Sequence, residues 1–303
     1  MIKYIKRDDI DDKKWNGCVH FAINGFPYGY TWYLDNLAET WDGLIYGDYD
    51  MVFPLVWNKK LNIHYLYQPF FAQQLGLFSK KPLTKLRIHA FLNAIPSQFS
   101  YIDIQVNFMN HAPMPGFEFS PRVNLQLPLN NPYEAIRKGY STNLKRNLKK
   151  AESAGLIISN RIKVEQLVAF FKAHIGKQLP ELKEAHYHAL HRIIYKALHY
   201  NVGGAFAVHN PSGEVVSVGF YLYSPTRIIN LLPSTSAQGK QLGASPLLLD
   251  YIIRVNAGKN VVLDFEGSMI PSIARFYKSF GAVEETYWRL KRNNLPWYLK
   301  WIK

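Results

Sequence analysis

The spacing of apolar and polar residues in the second half of the chain predicts alternating strands and helices. Residues 228–232 and 260–265 form short apolar runs typical of buried strands, and residues 245–255 between them have helical spacing. Residues 234–244 are polar and contain glycine, which predicts a loop. A short helix that ends at Gly281 follows the second strand. This order of elements predicts a βαβ crossover.

The predicted loop ends at a helix start that suits an anion. Ser245 is a good N-cap, and Pro246 at the first helical position gives up no hydrogen bond. The unpaired N–H groups and the positive end of the helix dipole at such a terminus favour a negative charge. The sequence therefore predicts a phosphorylated ligand here.

The helix after the second strand carries a candidate catalytic tyrosine. Ala274, Tyr277 and Phe280 are spaced at i, i+3 and i+6, which places Tyr277 on the apolar, inward face. At this point two interpretations are open. The segment is either a ligand-binding crossover, or a plain βαβ connection in which Tyr277 belongs to the core.

Together these two motifs resemble those of the GNAT superfamily of acyl-CoA-dependent acyltransferases. In that family a loop of the form Gln/Arg-x-x-Gly-x-Gly/Ala binds the CoA pyrophosphate through backbone amides, and a later Ala-x-x-Leu-Tyr-x-x-x-Gly-Phe helix carries a tyrosine beside the thiol. Residues 238–244, Gln-Gly-Lys-Gln-Leu-Gly-Ala, are similar to the loop, and residues 274–282, Ala-Arg-Phe-Tyr-Lys-Ser-Phe-Gly-Ala, are similar to the helix. Gln241 stands where the family usually has its first loop glycine.

The resemblance implies an acyl-CoA, most simply acetyl-CoA, as co-substrate and no metal. It also implies that Tyr277 protonates the departing thiolate. The implied cofactor-binding residues are Leu232, Gln238, Gly239, Lys240, Gln241, Leu242, Gly243, Ala244 and Ser245.

A second candidate catalytic residue, Glu266, follows the second predicted strand. Open α/β sheets bind ligands at the carboxyl ends of their strands, so Glu266 is placed to act as a base or to hold an ammonium group. Alternatively, Glu266 caps the next helix. Asp264 is the other carboxylate that points inward in one of the two possible registers.

The first half of the chain repeats this order of elements. A hairpin, a loop, an amphipathic helix and a strand are predicted at residues 50–67, 68–77, 83–95 and 101–106. The sequence Ala-Gln-Gln-Leu-Gly at 72–76 echoes residues 237–243 of the second half.

The spacing of about 165 residues between the halves predicts two copies of one fold. The expected fold class is α/β (α+β), with tandem GNAT-like domains that each have a mixed, mostly antiparallel sheet flanked by helices. We place an N-terminal domain at 1–127 and a C-terminal domain with the acyl-CoA site at 128–303.

A long helix predicted at residues 133–154 is rich in Lys and Arg. Lys138, Lys145 and Lys149 share one stripe, which is either a solvated face or a face that contacts phosphates. Residues 140–155 also resemble the basic helix ending in Ala-x-x-x-Gly of the Fem-type branch. That branch contains peptidoglycan cross-bridge transferases and predicted acetyltransferases, and its members have two GNAT-like domains with the working motifs in one of them.

Composition widens the choice of partners. Lys and Arg outnumber Asp and Glu by 36 to 22, for a formal charge of +14 over 303 residues. Such an excess favours CoA, tRNA, an anionic polymer or an anionic membrane surface, unless the basicity serves no partner. The charged N-terminus lacks an apolar signal segment, and no apolar run reaches the ~18 residues of a membrane span, so we expect a cytoplasmic protein.

Cysteine and histidine offer little chemistry in this sequence. A lone Cys18 forms no internal disulfide and no metal cluster. The histidines at 186, 188, 191 and 199 crowd one helix, for which a solvated face is the expected role. The aromatic segments 28–33 and 65–71 belong either to the core or to an acceptor cleft.

Three hypotheses remain from the sequence. The first is an acyl-CoA-dependent N-acyltransferase that acts on a small-molecule or peptide amine. The second is a Fem-like peptidyl transferase that uses aminoacyl-tRNA, supported by the basic helix at 137–150. The third is a catalytically silent binding protein of the same fold, for which Gln241 is the main argument.

Overall fold

The computed structural model describes residues 1–267 and 269–297. Within these residues the chain forms 14 β-strands and ten α-helices. The strands are β1 (Ile2–Lys6), β2 (Trp41–Tyr46), β3 (Met51–Lys60), β4 (Ile63–Tyr67), β5 (Phe78–Ser79), β6 (Phe99–Val106), β7 (Glu118–Pro128), β8 (Ile157–Ser159), β9 (Gly203–His209), β10 (Val215–Tyr223), β11 (Arg227–Asn230), β12 (Ser234–Thr235), β13 (Val262–Asp264) and β14 (Val283–Asn293). The helices are α1 (Asp12–Phe21), α2 (Thr31–Leu37), α3 (Lys85–Asn93), α4 (Tyr133–Lys138), α5 (Thr142–Ser153), α6 (Val164–His174), α7 (Glu184–His199), α8 (Ala237–Leu242), α9 (Ala244–Asn256) and α10 (Pro271–Lys278).

The chain divides into two compact units. The first unit combines Met1–Val123 with residues 286–297, and the second is Asn124–Glu285. The chain enters the second unit within β7 and returns to the first within β14. The predicted division at 127/128 differs from these units because the apolar pattern does not predict β14, which pairs with β6 of the first unit.

In the first unit the strand order is β1-β2-β3-β4-β6-β14. All neighbours run antiparallel except β4 and β6, which are parallel. The alternating apolar residues of these strands pack against α3, because its buried face carries residues at helical spacing. The core of this unit includes Phe53, Leu66, Phe91, Phe99 and Ile104.

In the second unit the strand order is β8-β9-β10-β11-β13-β7. All neighbours are antiparallel except the parallel pair β11 and β13. Helices α5 and α9 bury Leu148, Ile252 and Ile253 against Leu263 and Phe265 of this sheet. Order and direction match those of the first unit, so the predicted tandem fold is confirmed. The last strand of the first sheet is β14, which follows the second unit in sequence, and the last strand of the second sheet is β7, with which that unit begins.

The long helix predicted at 133–154 is wrong, because the chain forms the separate helices α4 and α5. Gly139 ends α4, and Ser141 begins α5 by accepting a hydrogen bond at its Oγ from Leu144 N at 3.2 Å. Ser141 N itself donates to Ser279 O at 2.8 Å. Lys138 therefore lies on a different helix from the other two lysines of the predicted stripe.

Other parts of the described chain are accounted for without special chemistry. No helix among residues 1–267 and 269–297 is long and apolar enough to cross a membrane. In the same residues, no group of three or more His, Cys, Asp or Glu is placed to hold a metal. Burial raises the pKa of the Cys18 thiol to about 12, so it is a neutral core residue.

Candidate functional site

The parallel strands β11 and β13 of the second unit part at one end. Their pairing ends at Ile229 and Asp264. Beyond this point Leu232 exchanges two backbone hydrogen bonds with β10, at 3.2 and 3.3 Å, whereas Phe265 N donates to β7 at 2.9 Å. Because the two segments follow different neighbours, an opening forms between them at the carboxyl ends of the strands. Open α/β sheets bind ligands at this edge.

A β-bulge in β11 lies beside this opening. Asn230 pairs with Tyr221 of β10, but Leu232 then pairs with Phe220, so Leu231 is an extra residue in its strand. A bulge bends the strand and changes the direction of its side chains, and bulges are frequent next to active sites.

Tyr277 reaches the opening from α10. Its ring stacks on Phe265 with centroids 4.5 Å apart, and its hydroxyl accepts a hydrogen bond from Asn230 Nδ2 at 3.4 Å. The residue is 5% exposed, and burial raises its pKa well above the ordinary tyrosine value. The phenol therefore keeps its proton at neutral pH. Asn230 Oδ1 is also buried there and has no hydrogen-bond partner within the described part of the chain.

Glu266 lies two residues beyond β13 and is half-buried. Its backbone is left-handed, with φ +54°, and its N–H donates to Asp264 Oδ1 at 3.1 Å. Burial raises the pKa of its carboxyl to about 8. The carboxylate also contributes to the raised pKa of Tyr277. The structure thus brings the two predicted catalytic residues to the same opening.

A buried charge cluster lies behind Glu266. Asp264 is 1% exposed and accepts hydrogen bonds from Arg227 Nη1 at 3.0 Å and from Asn124 Nδ2 at 2.7 Å. Arg227 Nη2 also donates to Glu285 Oε1 at 2.7 Å. Burial raises the pKa of Glu285 against the opposing effect of its Arg227 partner. Neither Arg227 nor Glu285 was predicted as a site residue; a charged residue within a strand was the available signal.

Solved structures with a similar fold come from several kinds of protein. FemX aligns with a TM-score of 0.70 at 11% identity, over 94% of this chain and 96% of that chain. L-PGS from Bacillus licheniformis aligns with a TM-score of 0.58 at 13% identity, over 96% and 95%. A tandem GNAT protein from the clavulanic acid biosynthesis pathway aligns with a TM-score of 0.52 at 13% identity, over 98% and 99%. This chain has a GNAT/Fem-like fold. No protein-family profile matches it, and no curated protein matches its sequence.

Within this GNAT/Fem-like fold, the segment predicted as the CoA loop is helical. Helix α8 begins at Ser236, whose Oγ accepts a hydrogen bond from Gly239 N at 3.0 Å. Gly243 ends α8 and caps α9, with φ +78°. The predicted N-cap role of Ser245 is therefore wrong, because Ser245 lies inside α9.

The glycines of this segment contact protein backbone. A Cβ at Gly239 would lie 2.1 Å from Val216 O, and a Cβ at Gly243 would lie 2.8 Å from Asn147 O of α5. Gly243 and Ala244 are buried. Both glycines are thus explained by packing, and residues 238–244 do not fit as an open cradle for a pyrophosphate.

The other predicted binding residues are spread around α8. Leu232 is buried at the edge of the strand opening, and Leu242 is half-buried. The exposed members are Gln238, Lys240 and Gln241. Of the residues predicted to bind the cofactor, only Leu232 lies in the segment directly after β11, at the point where β11 and β13 part.

Proposed function

We propose that this protein is an N-acyltransferase that moves an acyl group from an activated donor to an amine at the opening between β11 and β13. The observation that carries the proposal is the presence of Glu266 and Tyr277 at one opening. A carboxyl with a pKa of about 8 accepts a proton near neutral pH, and a buried neutral phenol donates a hydrogen bond to developing negative charge. The likeness in fold to FemX and to a tandem GNAT protein supports the class of reaction.

In the proposed step the amine nitrogen attacks the carbonyl carbon of the donor. A C–N bond forms, the bond from the carbonyl carbon to the leaving sulfur or oxygen breaks, and the Glu266 carboxylate accepts the proton released by the amine. Tyr277 donates a hydrogen bond to the leaving atom. Its raised pKa keeps the proton on the phenol beside a thiolate, because a free thiol has a pKa of only about 8.5. A thiolate therefore leaves without taking that proton.

Acyl-CoA, with acetyl as the acyl group, is the first donor in this proposal, and a small-molecule or peptide amine in the cytoplasm is the acceptor. Recognition of the donor by residues 238–244 is not part of the proposal, because Gly239 and Gly243 of that segment pack closely against Val216 O and Asn147 O.

An aminoacyl-tRNA is the second candidate donor. Helix α5 exposes Lys145, Arg146, Lys149 and Lys150, which suits contact with phosphates. The donor bond in an aminoacyl-tRNA is an oxygen ester. An alkoxide leaving group is a stronger base than a phenolate of ordinary pKa, so it matches a tyrosine with a raised pKa better than a thiolate does.

Amide formation with each donor tests the proposal. The purified protein is incubated with radiolabelled acetyl-CoA or charged tRNA and a panel of amines at pH 6 to 9. We expect product from one donor, with a rate that rises as Glu266 loses its proton near pH 8 and falls at least about 100-fold in Glu266→Gln. No amide from either donor contradicts the proposal and favours a silent binding protein.

Binding of tRNA separates the two donors. If α5 contacts phosphates, the double variant Lys145→Glu with Lys149→Glu loses about tenfold or more in affinity at low salt, and its dependence on salt weakens. A matched control makes the same change of charge at the exposed residues Lys59 and Lys60 of β3. Equal losses in both variants would indicate general attraction and leave α5 as a solvated face.

A further inference from the structure

The turn that carries Glu266 is unusual in its backbone. Glu266 and Gly267 are consecutive left-handed residues, with φ +54° and +58°. A residue with a side chain adopts this conformation at a cost, so it persists where neighbouring contacts impose it. Such contacts come from the buried cluster behind the turn.

We infer that Asp264 is a positioning residue, whose carboxylate holds the turn so that Glu266 lies on the same side as Tyr277. As a statement about catalysis, this inference rests on the proposed function. Asp264 Oδ1 accepts a hydrogen bond from Glu266 N at 3.1 Å, the short-range bond by which an aspartate stabilises a turn two residues ahead.

Alternation along the strand explains why the turn matters. In an extended chain Asp264 and Glu266 would point to one face and Phe265 to the other. Phe265 is the residue that stacks on Tyr277, so a straight continuation of β13 would direct Glu266 away from the phenol. The left-handed turn reverses this direction, which accounts for the electrostatic effect of Glu266 on Tyr277.

Asp264 is itself fixed on both oxygens. Oδ1 also accepts from Asn124 Nδ2 at 2.7 Å, and Oδ2 accepts from Arg227 Nη1 at 3.0 Å. Arg227 is held in turn by two hydrogen bonds to Glu285, at 2.7 and 3.1 Å. A carboxylate with all of these bonds is poorly suited to accept a substrate proton, but it is well suited to orient the next residues.

Amide hydrogen exchange tests the inference without any substrate. In the wild-type protein the Glu266 amide should exchange at least about tenfold more slowly than in an unstructured peptide. Asp264→Asn keeps an oxygen acceptor and should keep this protection, whereas Asp264→Ala removes the acceptor and should lose it. Glu285→Gln perturbs the same cluster without touching Glu266, and should keep the protection.

Titration of the Glu266 carboxyl, followed by carbon NMR, adds a readout that a loss of packing elsewhere would not move. We expect a pKa of about 8 in wild type, a value close to it in Asp264→Asn and Glu285→Gln, and a fall toward the ordinary value of about 4.3 in Asp264→Ala. Tyr277 on α10 interacts electrostatically with this carboxyl, whereas Asp264 on β13 contacts the backbone amide of Glu266.

Retained protection in Asp264→Ala, or equal changes in Asp264→Ala and Glu285→Gln, would overturn the inference. If Asp264→Ala does not fold, an unprotected Glu266 amide in the wild-type protein overturns it instead. Failure to form amide from either donor would remove the proposed function but would leave these exchange and titration results standing, so the two failures are distinguishable.

Discussion

The two units build the same sheet but differ at the end of their parallel strand pair. In the first unit the pairing continues past β4, since Leu75 forms a parallel bridge with Val106 and Gln68 Oε1 accepts from Gln105 N at 2.8 Å. In the second unit β11 and β13 separate after Ile229. The parallel pairing is therefore extended by a later segment in the first unit and ends at Ile229 and Asp264 in the second.

The segments after these strands explain the difference. In the first unit, residues 72–76 lie along β6, where Gln74 is fully buried and Gly76 has φ +97° with Asn110 Oδ1 2.3 Å from the position of a Cβ. In the second unit, most of the similar sequence at 237–243 is helix α8. The two units thus share a strand order and differ in the segment that follows the parallel strand pair.

The charged pairs of the two units differ in the same way. Arg227 and Asp264 in the second unit have side chains 7% and 1% exposed, whereas Arg289 and Asp103 in the first unit are 38% and 24% exposed. A buried pair is costly to break, while an exposed pair contributes little. The more deeply buried of these two charged pairs therefore lies in the second unit, close to the ends of β11 and β13.

Removal of the Tyr277 hydroxyl should have the largest effect. Tyr277→Phe keeps the ring stacked on Phe265 and removes the hydrogen-bond donor to the leaving group, so turnover should fall by about 10² to 10³ with little change in stability. The matched control is Tyr33→Phe in the first unit, a buried tyrosine whose hydroxyl donates to Phe71 O. Turnover measured with the active donor should be normal in the control. Equal turnover of Tyr277→Phe and wild type would remove Tyr277 from the chemistry.

Removal of the arginine from each charged pair should lower the free energy of unfolding by different amounts in the two units. Arg227→Met leaves Asp264 and Glu285 buried without their cation, and should lower the free energy of unfolding by about 3 to 5 kcal/mol. Arg289→Met should cost at most about 1 kcal/mol, because its pair with Asp103 is exposed to solvent. Urea denaturation measures both values. Similar losses at the two sites would contradict the distinction between the units.

The spacing of apolar residues predicted many of the helices and strands but few of the contacts between segments that are remote in sequence. The helix predicted at 83–95 corresponds to α3, and the strand predicted at 101–106 lies within β6, because each buries one face against a single layer. The break between α4 and α5 depends on a hydrogen bond to Ser279, which is remote in sequence. Likewise β14 finds its partner across most of the chain, and hydrophobic spacing carries no information on such pairing.

The candidate site was predicted only in part, because some of its residues come together through contacts that are remote in sequence. Tyr277 and Glu266 came from a resemblance and from the end of a strand, two features that a sequence displays. Arg227 lies 37 residues from Asp264 and 58 from Glu285, so their cluster was not visible. The helical form of residues 237–242 was missed because the contact of Gly239 with Val216 O is tertiary.

The pH dependence of stability should differ in sign between the units. The pKa of Glu266 is raised from 4.5 to about 8, so over this window the native state holds a proton that the unfolded state has lost. The free energy of unfolding therefore falls as pH rises, by at most about 1.4 kcal/mol per pH unit, and Glu266→Gln should remove this slope. In the first unit, burial raises the pKa of the Asp103 carboxyl, but the effect of Arg289 is larger and holds that pKa below its usual range. The stability that the ionised Asp103 carboxylate contributes is lost as pH falls. Asp103→Asn should therefore flatten only the acid side of the plot of unfolding free energy against pH. Denaturation at pH 3 to 9 measures both slopes; an unchanged slope in Glu266→Gln would contradict the raised pKa.

The smallest expected effect tests whether the packing of Gly243 against α5 leaves no room for a ligand beside the backbone before α9. Gly243→Ala meets a left-handed backbone and, in addition, Asn147 O of α5 at 2.8 Å, so it should lower the free energy of unfolding by about 2 to 3 kcal/mol. Gly258→Ala has the same strain at φ +82° but has no atom within 4 Å, and should cost only about 1 kcal/mol. The difference of about 1 kcal/mol, measured by urea denaturation, isolates the contact with α5. Equal costs for the two variants would mean that space exists beside Gly243, and would restore the α9 terminus as a place where a pyrophosphate approaches the backbone.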